Sequence, residues 1–202
     1  LYIYNCDGAS ISNNRLWGSL FGLCLMQCSE ISVDDNIFEL NDYAGIVVLS
    51  GCGLISIENN TVHGNSATFG IWIKGATYVL MANNTVSTAI IAVSVEDDGT
   101  IMSSYIIFRD NDIDNVWNGL VLLNVEEALV MDNTFTNLDA DYSEAAIGIY
   151  YGQNIAISGN TMADGWNGIY LYYTTHLELE GNVISVNNIG VYMEAVTYAY
   201  LA

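Results

Sequence analysis

The chain of 202 residues has no proline, and only 3 Lys and Arg stand against 23 Asp and Glu, a formal net charge of −20. Three basic side chains cannot build the clustered positive footprint that grips a phosphate backbone, so nucleic acid is not an expected partner. Nor is there a run of about 18 apolar residues, so no membrane-spanning helix is expected. The start, Leu1-Tyr2-Ile3-Tyr4-Asn5, lacks both the charged and the apolar stretch of a leader. The 4 cysteines fall within the first 52 residues and include no CxxC pair, which argues against a disulfide scaffold and against common zinc-site spacing. What the chain does have is apolar content: 52% hydrophobic is far too much for a disordered acidic tail. It must fold around a core. Dense carboxylates with almost no lysine are compatible with a high-salt or extracellular setting, where surface charge keeps a protein in solution.

Self-similarity organises the sequence. Segments centred on Asn14, Asn36, Asn60, Asn84, Asn111, Asn133, Asn160 and Asn182 read ISNNRL, VDDNIF, IENNTV, MANNTV, FRDNDI, VMDNTF, ISGNTM and LEGNVI, at steps of 22, 24, 24, 27, 22, 27 and 22 residues. Three residues before each asparagine stand Ile11, Val33, Ile57, Met81, Phe108, Val130, Ile157 and Leu179; two after stand Leu16, Phe38, Val62, Val86, Ile113, Phe135, Met162 and Ile184. All are apolar. Five before, Ala9, Ile31, Ile55, Val79, Ile106, Ala128, Ile155 and Leu177 are apolar too, and the position between the two upstream series is variable. Period-two alternation means strands.

A second alternating run follows a glycine in most periods, as in Gly22-Leu23-Cys24-Leu25, Gly70-Ile71-Trp72-Ile73, Gly148-Ile149-Tyr150-Tyr151 and Gly168-Ile169-Tyr170-Leu171; only the fourth, near Ile90-Ile91-Ala92-Val93, lacks the glycine. Units this short cannot bury their own side chains, but stacked units share one hydrophobic column. The expected fold is all-β: a parallel β-solenoid of about eight coils of 22–27 residues, with residues 1–202 as one domain. At ~4.8 Å per coil the rod is roughly 38 Å long. The eight asparagines then form a structural ladder at one corner.

The pattern G-I-x-L-x-x-(small)-x-x-x-x-I-x-x-N-x-I resembles the right-handed parallel β-helix repeats of the pectate-lyase-like superfamily, especially NosD-type proteins of periplasm and cell surface, over essentially the whole chain. The resemblance implies a right-handed helix and leaves function open, because the superfamily includes lyases, hydrolases, epimerases, adhesins and non-catalytic scaffolds. The sequence enters and leaves in mid-repeat without a visible cap, so an internal piece of a longer chain, or end-to-end or side-by-side self-assembly, is expected.

Candidate sites follow from the register. Cys6, Cys28 and Cys52 each lie eight residues before a ladder asparagine, in a column continued by Ala76, Ser103, Val125, Gly152 and Thr174, and read as buried thiols or a disulfide between neighbouring coils. Cys24 falls in the outward series and is the thiol expected to react. Two residues after the glycine, the outer face carries Trp72, Val121, Tyr150, Tyr170 and Tyr192, the last three on consecutive coils. Exposed rings at coil spacing suit stacking on a sugar or burial against a neighbouring subunit, against the plainer reading of a β-sheet face where such residues are favoured anyway. Trp117-Asn118-Gly119 and Trp166-Asn167-Gly168 read as corner packing. The two longest periods hold acidic insertions around Asp97-Asp98 and around Asp139, Asp141 and Glu144. The second set is the candidate for Ca²⁺, although without EF-hand spacing; no other cofactor is expected.

The pattern thus points to a non-catalytic scaffold that binds polysaccharide or a protein subunit through its aromatic face. The alternative is a polysaccharide hydrolase or lyase using Asp97, Asp98, Asp110 and Asp112, carboxylates able to act as acid and base on a sugar. Lyases resembling this fold use a basic residue to abstract a proton, and this chain offers only Arg15, Lys74 and Arg109. His63 and His176 lie in different parts of the repeat, which argues against a shared metal.

Overall fold

The computed structural model describes residues 1–64, 68–138, 145–186 and 188–202. These residues form strands and turns without helix: 26 strands in three parallel sheets of nine, nine and eight. Every third strand along the chain joins the same sheet, so each coil adds one strand to each. Sheet A runs from Tyr2–Tyr4 to Ile189–Glu194, sheet B from Asp7–Ser12 to Thr197–Leu201, and sheet C from Arg15–Trp17 to Val183–Ser185. The molecule is a parallel β-solenoid of about eight turns. No helix of the described residues is long and apolar enough to cross a membrane.

The repeat aligns as the alternation requires. Ile31, Ile55, Val79, Ile106, Ala128, Ile155 and Leu177 pair in register along sheet B, and Phe38, Val62, Val86, Ile113, Phe135 and Met162 along sheet C. All of these are buried in one continuous core. Each residue adds little by itself; one buried aliphatic side chain contributes about 1.5–3 kcal/mol, and stacking lets every coil complete its neighbour's burial.

The asparagines do form a ladder at the corner between sheets B and C. Each Nδ2 from Asn14 to Asn160 donates to the Oδ1 of the next ladder asparagine at 2.9–3.1 Å. Each also reaches main-chain carbonyls, as Asn60 does to Val33 and Glu58, both at 2.8 Å. The residue before each ladder position takes a left-handed backbone, with φ between 54° and 65° at Asn13, Asp35, Asn59, Asn83, Asp110, Asp132, Gly159 and Gly181. Only Asn, Asp and Gly occupy that place, the residue types that adopt this conformation at least cost. The doublets NN, DN and GN are therefore turn chemistry.

The glycine near the start of most sheet A strands answers to packing. A Cβ on Gly119 would lie 2.3 Å from the Ala146 carbonyl oxygen and 2.5 Å from Phe135 Cδ1. One register expectation fails here. Ala146, not Gly148, is the residue aligned with Gly119, because Leu120 pairs with Ile147 and Leu122 with Ile149. Coils four and six thus both carry alanine at this place, and Gly148 falls on the outer face opposite Val121 and Tyr170.

Candidate functional site

Sheet A presents two outward columns. The first runs Tyr2, Cys24, Val47, Trp72, Ser94, Val121, Gly148, Tyr170, Tyr192; the second ends Lys74, Glu96, Leu123, Tyr150, Tyr172, Glu194. Tyr150 therefore belongs two residues farther along than its sequence position implies, opposite Tyr172. Its ring nonetheless leans back across Gly148, where an added Cβ would meet Tyr150 Cε2 at 3.3 Å. The missing side chain at Gly148 makes room for the tilt, and the ring fills the gap in the first column.

The result is a continuous aromatic surface. Tyr150 and Tyr170 have ring centroids 5.6 Å apart, and Tyr170 and Tyr192 stack at 4.9 Å with planes 8° apart. Tyr151, Tyr172 and Tyr173, which the sequence pattern did not single out, extend it through ring contacts at 4.6–5.6 Å. Six tyrosines thus gather on three coils. Tyr192 donates its hydroxyl to Glu194 Oε2 at 2.9 Å, and this hydrogen bond, then the carboxylate charge, holds its pKa above the usual phenol range. Burial, then Tyr170, raises Tyr150. These hydroxyls stay protonated at neutral pH, giving flat apolar faces with a hydrogen-bonding rim.

Trp72 shares a column with Tyr170 and Tyr192 but lies four coils from Tyr170, roughly 19 Å at the spacing of a parallel sheet. It belongs to a separate cluster. Phe69 stacks on it at 5.2 Å, Tyr43 meets it edge-on at 5.8 Å, and Phe21 contacts Tyr43 at 5.7 Å. Its indole Nε1 donates to Glu96, while Lys74 Nζ lies 5.6 Å from the ring centroid and 3.9 Å from the Glu96 carboxylate. These aromatics roof over Cys24, Ala44 and Val47. The expectation of a reactive Cys24 is thereby corrected: the thiol faces outward but is only 3% exposed, and desolvation raises its pKa. Cys6, Cys28 and Cys52 form the expected column as free thiols, with burial raising Cys52 to about 11.

The acidic candidates separate into two corners. Asp98 Oδ1 accepts from Thr100 N at 2.7 Å, Thr100 Oγ1 at 2.7 Å and Ile101 N at 2.6 Å. It packs on Gly75, whose φ of +63° and missing Cβ admit it. The Ser50 hydroxyl, then the Ile101 and Thr100 donors, push its carboxyl far below the ordinary range. Asp98 is the organiser of its loop. Asp97 accepts from Asn124 Nδ2 at 3.3 Å. Asp110 supplies a left-handed turn residue and pairs with Arg109 at 2.5 Å, and Asp112 stands exposed on sheet C. The strand Ser103–Arg109 lies between the corners, and its extended part beyond the left-handed Tyr105 alone spans roughly 13 Å. Inverting glycosidases hold their carboxyls at most about 9.5 Å apart, so the four do not form one pair. Asp139, Asp141 and Glu144 lie outside the described residues. Trp117 is 46% exposed and so only partly packed into its corner, while Asn118 Oδ1 accepts from Ala145 N at 3.2 Å.

The family model described as periplasmic copper-binding protein (NosD) matches residues 1–138, and the right handed beta helix region model matches residues 92–199. Comparison with curated proteins returned no match. Among solved structures, the A-module of the mannuronan C-5 epimerase AlgE4 of Azotobacter vinelandii superposes with a TM-score of 0.80 at 14% identity over 97% of this chain and 58% of that one. A mutant of the periplasmic alginate epimerase AlgG gives 0.76 at 17%, over 90% and 47%. The Streptococcus pneumoniae surface adhesin PfbA gives 0.62 at 12%, over 96% and 62%. The chain therefore spans about half to three-fifths of the length of these structures, and identity this low shows the shared fold alone. Among the described residues no three His, Cys, Asp or Glu side chains gather as metal ligands; His63 lies against Ser87 and Thr88, and His176 stacks on Tyr198 at 4.9 Å. Repeat, register and sequence match agree: this chain belongs to the NosD family of right-handed parallel β-helix proteins.

Proposed function

We propose that this chain is a binding scaffold of a periplasmic, extracellular or cell-surface protein, and that the tyrosine surface of sheet A holds polysaccharide. The observation that supports this is the ring ladder of Tyr150, Tyr170 and Tyr192, with centroids 5.6 and 4.9 Å apart. Flat rings at nearly constant rise offer successive sugar units an apolar face at low entropic cost, since each ring has only two torsions to fix. The fold relatives named for alginate epimerisation and surface adhesion are consistent with such a role. The net charge of −20 disfavours a polyanion and favours a neutral glycan. Affinity electrophoresis and calorimetry against neutral and acidic polysaccharides test the assignment. Tyr170→Ala is expected to weaken neutral-glycan binding about tenfold, near 1.4 kcal/mol, while Trp72→Phe leaves it unchanged. Equal binding by wild type and Tyr170→Ala would refute it.

A further inference from the structure

The outer face of sheet B carries a second feature, independent of the tyrosine surface. Its central outward column reads Ser10, Ser32, Ser56, Leu80, Ile107, Leu129, Ala156, Glu178 and Tyr200 in register. The first three coils present hydroxyls, the next four present aliphatic groups, and polarity returns at Glu178. Ile107 is 38% exposed. The middle of the rod therefore has an apolar strip that the fold does not require, since serine serves the same column elsewhere.

One wall of this strip is unusual. In each coil the second or third residue of the sheet B strand takes a left-handed backbone, with φ of 53–57° at Glu30, Leu54, Tyr78, Tyr105, Glu127, Asn154, His176 and Tyr198. Gly8 fills the same place in the first coil at φ 70°. Gly and Asn suit that conformation; tyrosine does not, and bulky residues held there cost of order 1–3 kcal/mol each. Tyr78 and Tyr105 are nevertheless there on adjacent coils, stacked at 4.5 Å with planes 4° apart, and 52% and 44% exposed. The Glu127 carboxylate abuts the Tyr105 hydroxyl, and its charge, followed by Tyr78, holds that hydroxyl above its usual pKa.

Strip and wall enclose a groove of about 440 Å³ lined by Tyr78, Tyr105, Leu80, Ile107, Leu129 and Glu127, within the range of roughly 300–1,000 Å³ usual for small-molecule sites. Its charge is one-sided. Glu127 contributes a carboxylate, Arg109 at the end of the Tyr105 strand is engaged by Asp110, and the whole chain has a large negative excess. Aromatic faces beside a carboxylate attract organic cations through the ring quadrupole and direct charge together, and an aliphatic floor selects those with an apolar body.

We propose that this groove on sheet B binds an amphipathic organic cation, its ammonium group between Glu127 and the paired tyrosines and its apolar body on Leu80, Ile107 and Leu129. Benzyltrimethylammonium, its neutral isostere neopentylbenzene and benzenesulfonate are the probes, read by methyl NMR shifts of Ile107 and Leu129, which locate binding as well as detect it. The cation is expected to move these methyls saturably, and the sulfonate not at all. Glu127→Gln is expected to weaken the cation at least fivefold. Ile107→Ser, which restores the residue type of Ser32 and Ser56 and so preserves the fold by circular dichroism, is expected to do the same. Tyr170→Ala leaves cation binding unchanged, which separates this site from the polysaccharide assignment. Equal binding of the neutral isostere, shifts spread over acidic surface elsewhere with no effect of Glu127→Gln, or displacement of the cation by the glycan that binds sheet A would each overturn the proposal.

Discussion

Single residues illustrate how one side-chain type takes different work from its surroundings. Asp98 is ionised because the Ser50, Thr100 and Ile101 donors converge on it, so its contribution to stability has a definite pH course. Its folded pKa lies below the unfolded value of about 3.9; the contribution is complete above that value and disappears as pH falls through the folded pKa. Melting temperatures of wild type and Asp98→Ala are accordingly expected to differ at pH 7 and to converge as pH is lowered below about 4, as calorimetry across that range reads. The thiols behave oppositely. Cys24 and Cys52 are buried and raised, and thiolate is the form that reacts. Alkylation with iodoacetamide followed by peptide mass spectrometry should label partly exposed Cys6 first and leave Cys24 and Cys52 unmodified until the chain unfolds.

At the scale of the element, the asparagine ladder is the most demanding feature, because each interior member serves three coils. Asn84 accepts from the main-chain N and the Nδ2 of Asn60 at 3.0 and 3.1 Å, and donates to the Ile57 carbonyl at 2.8 Å and to Asn111 at 3.0 Å. Truncation leaves several buried groups unsatisfied at about 1–3 kcal/mol apiece. Asn84→Ala is expected to cost about 4 kcal/mol, seen in urea as a lower midpoint with unchanged slope. The exposed Asn83, which only supplies the turn beside it, should tolerate Gly within about 0.5 kcal/mol. The sequence exposes this ladder plainly, since eight asparagines at matched offsets from apolar residues admit one register. It exposes the outer columns less well. Gly148 imitates the glycine of neighbouring coils and moves Tyr150 by two places, because an alanine at 146 does the packing work there. The left-handed wall of Tyr78 and Tyr105 carries no Gly or Asn to announce it, and strand alternation alone does not show that its side chains turn outward.

At the scale of the whole molecule, charge and stacking oppose each other. A net charge of −20 on a narrow rod repels itself, and salt screens that repulsion over about 10 Å at 0.1 M. Raising sodium chloride from 10 to 500 mM is therefore expected to raise the melting temperature by several degrees, as calorimetry measures; a fall or no change would show that the surface carboxylates lie too far apart to matter. The three ion pairs among the described residues are too few and too exposed to reverse that sign.

Taken by itself, the amino-acid order decided what a local period can decide: strands, parallel stacking, the hydrophobic column and the amide corner. Those features depend on residue type repeated at fixed spacing, and spacing is written in the chain. Tertiary structure alone decided what depends on distance between non-equivalent positions. It covered Cys24 with rings from Phe21, Tyr43, Phe69 and Trp72, divided Trp72 from the six tyrosines, and set the acidic pairs at opposite ends of one strand of sheet B. It also opened the groove between Tyr78, Tyr105 and Leu129. The physical reason is that neighbours on the outer face come from adjacent coils some 22–27 residues apart in sequence. Their contacts follow from how each side chain leans, and a repeat pattern does not encode that lean.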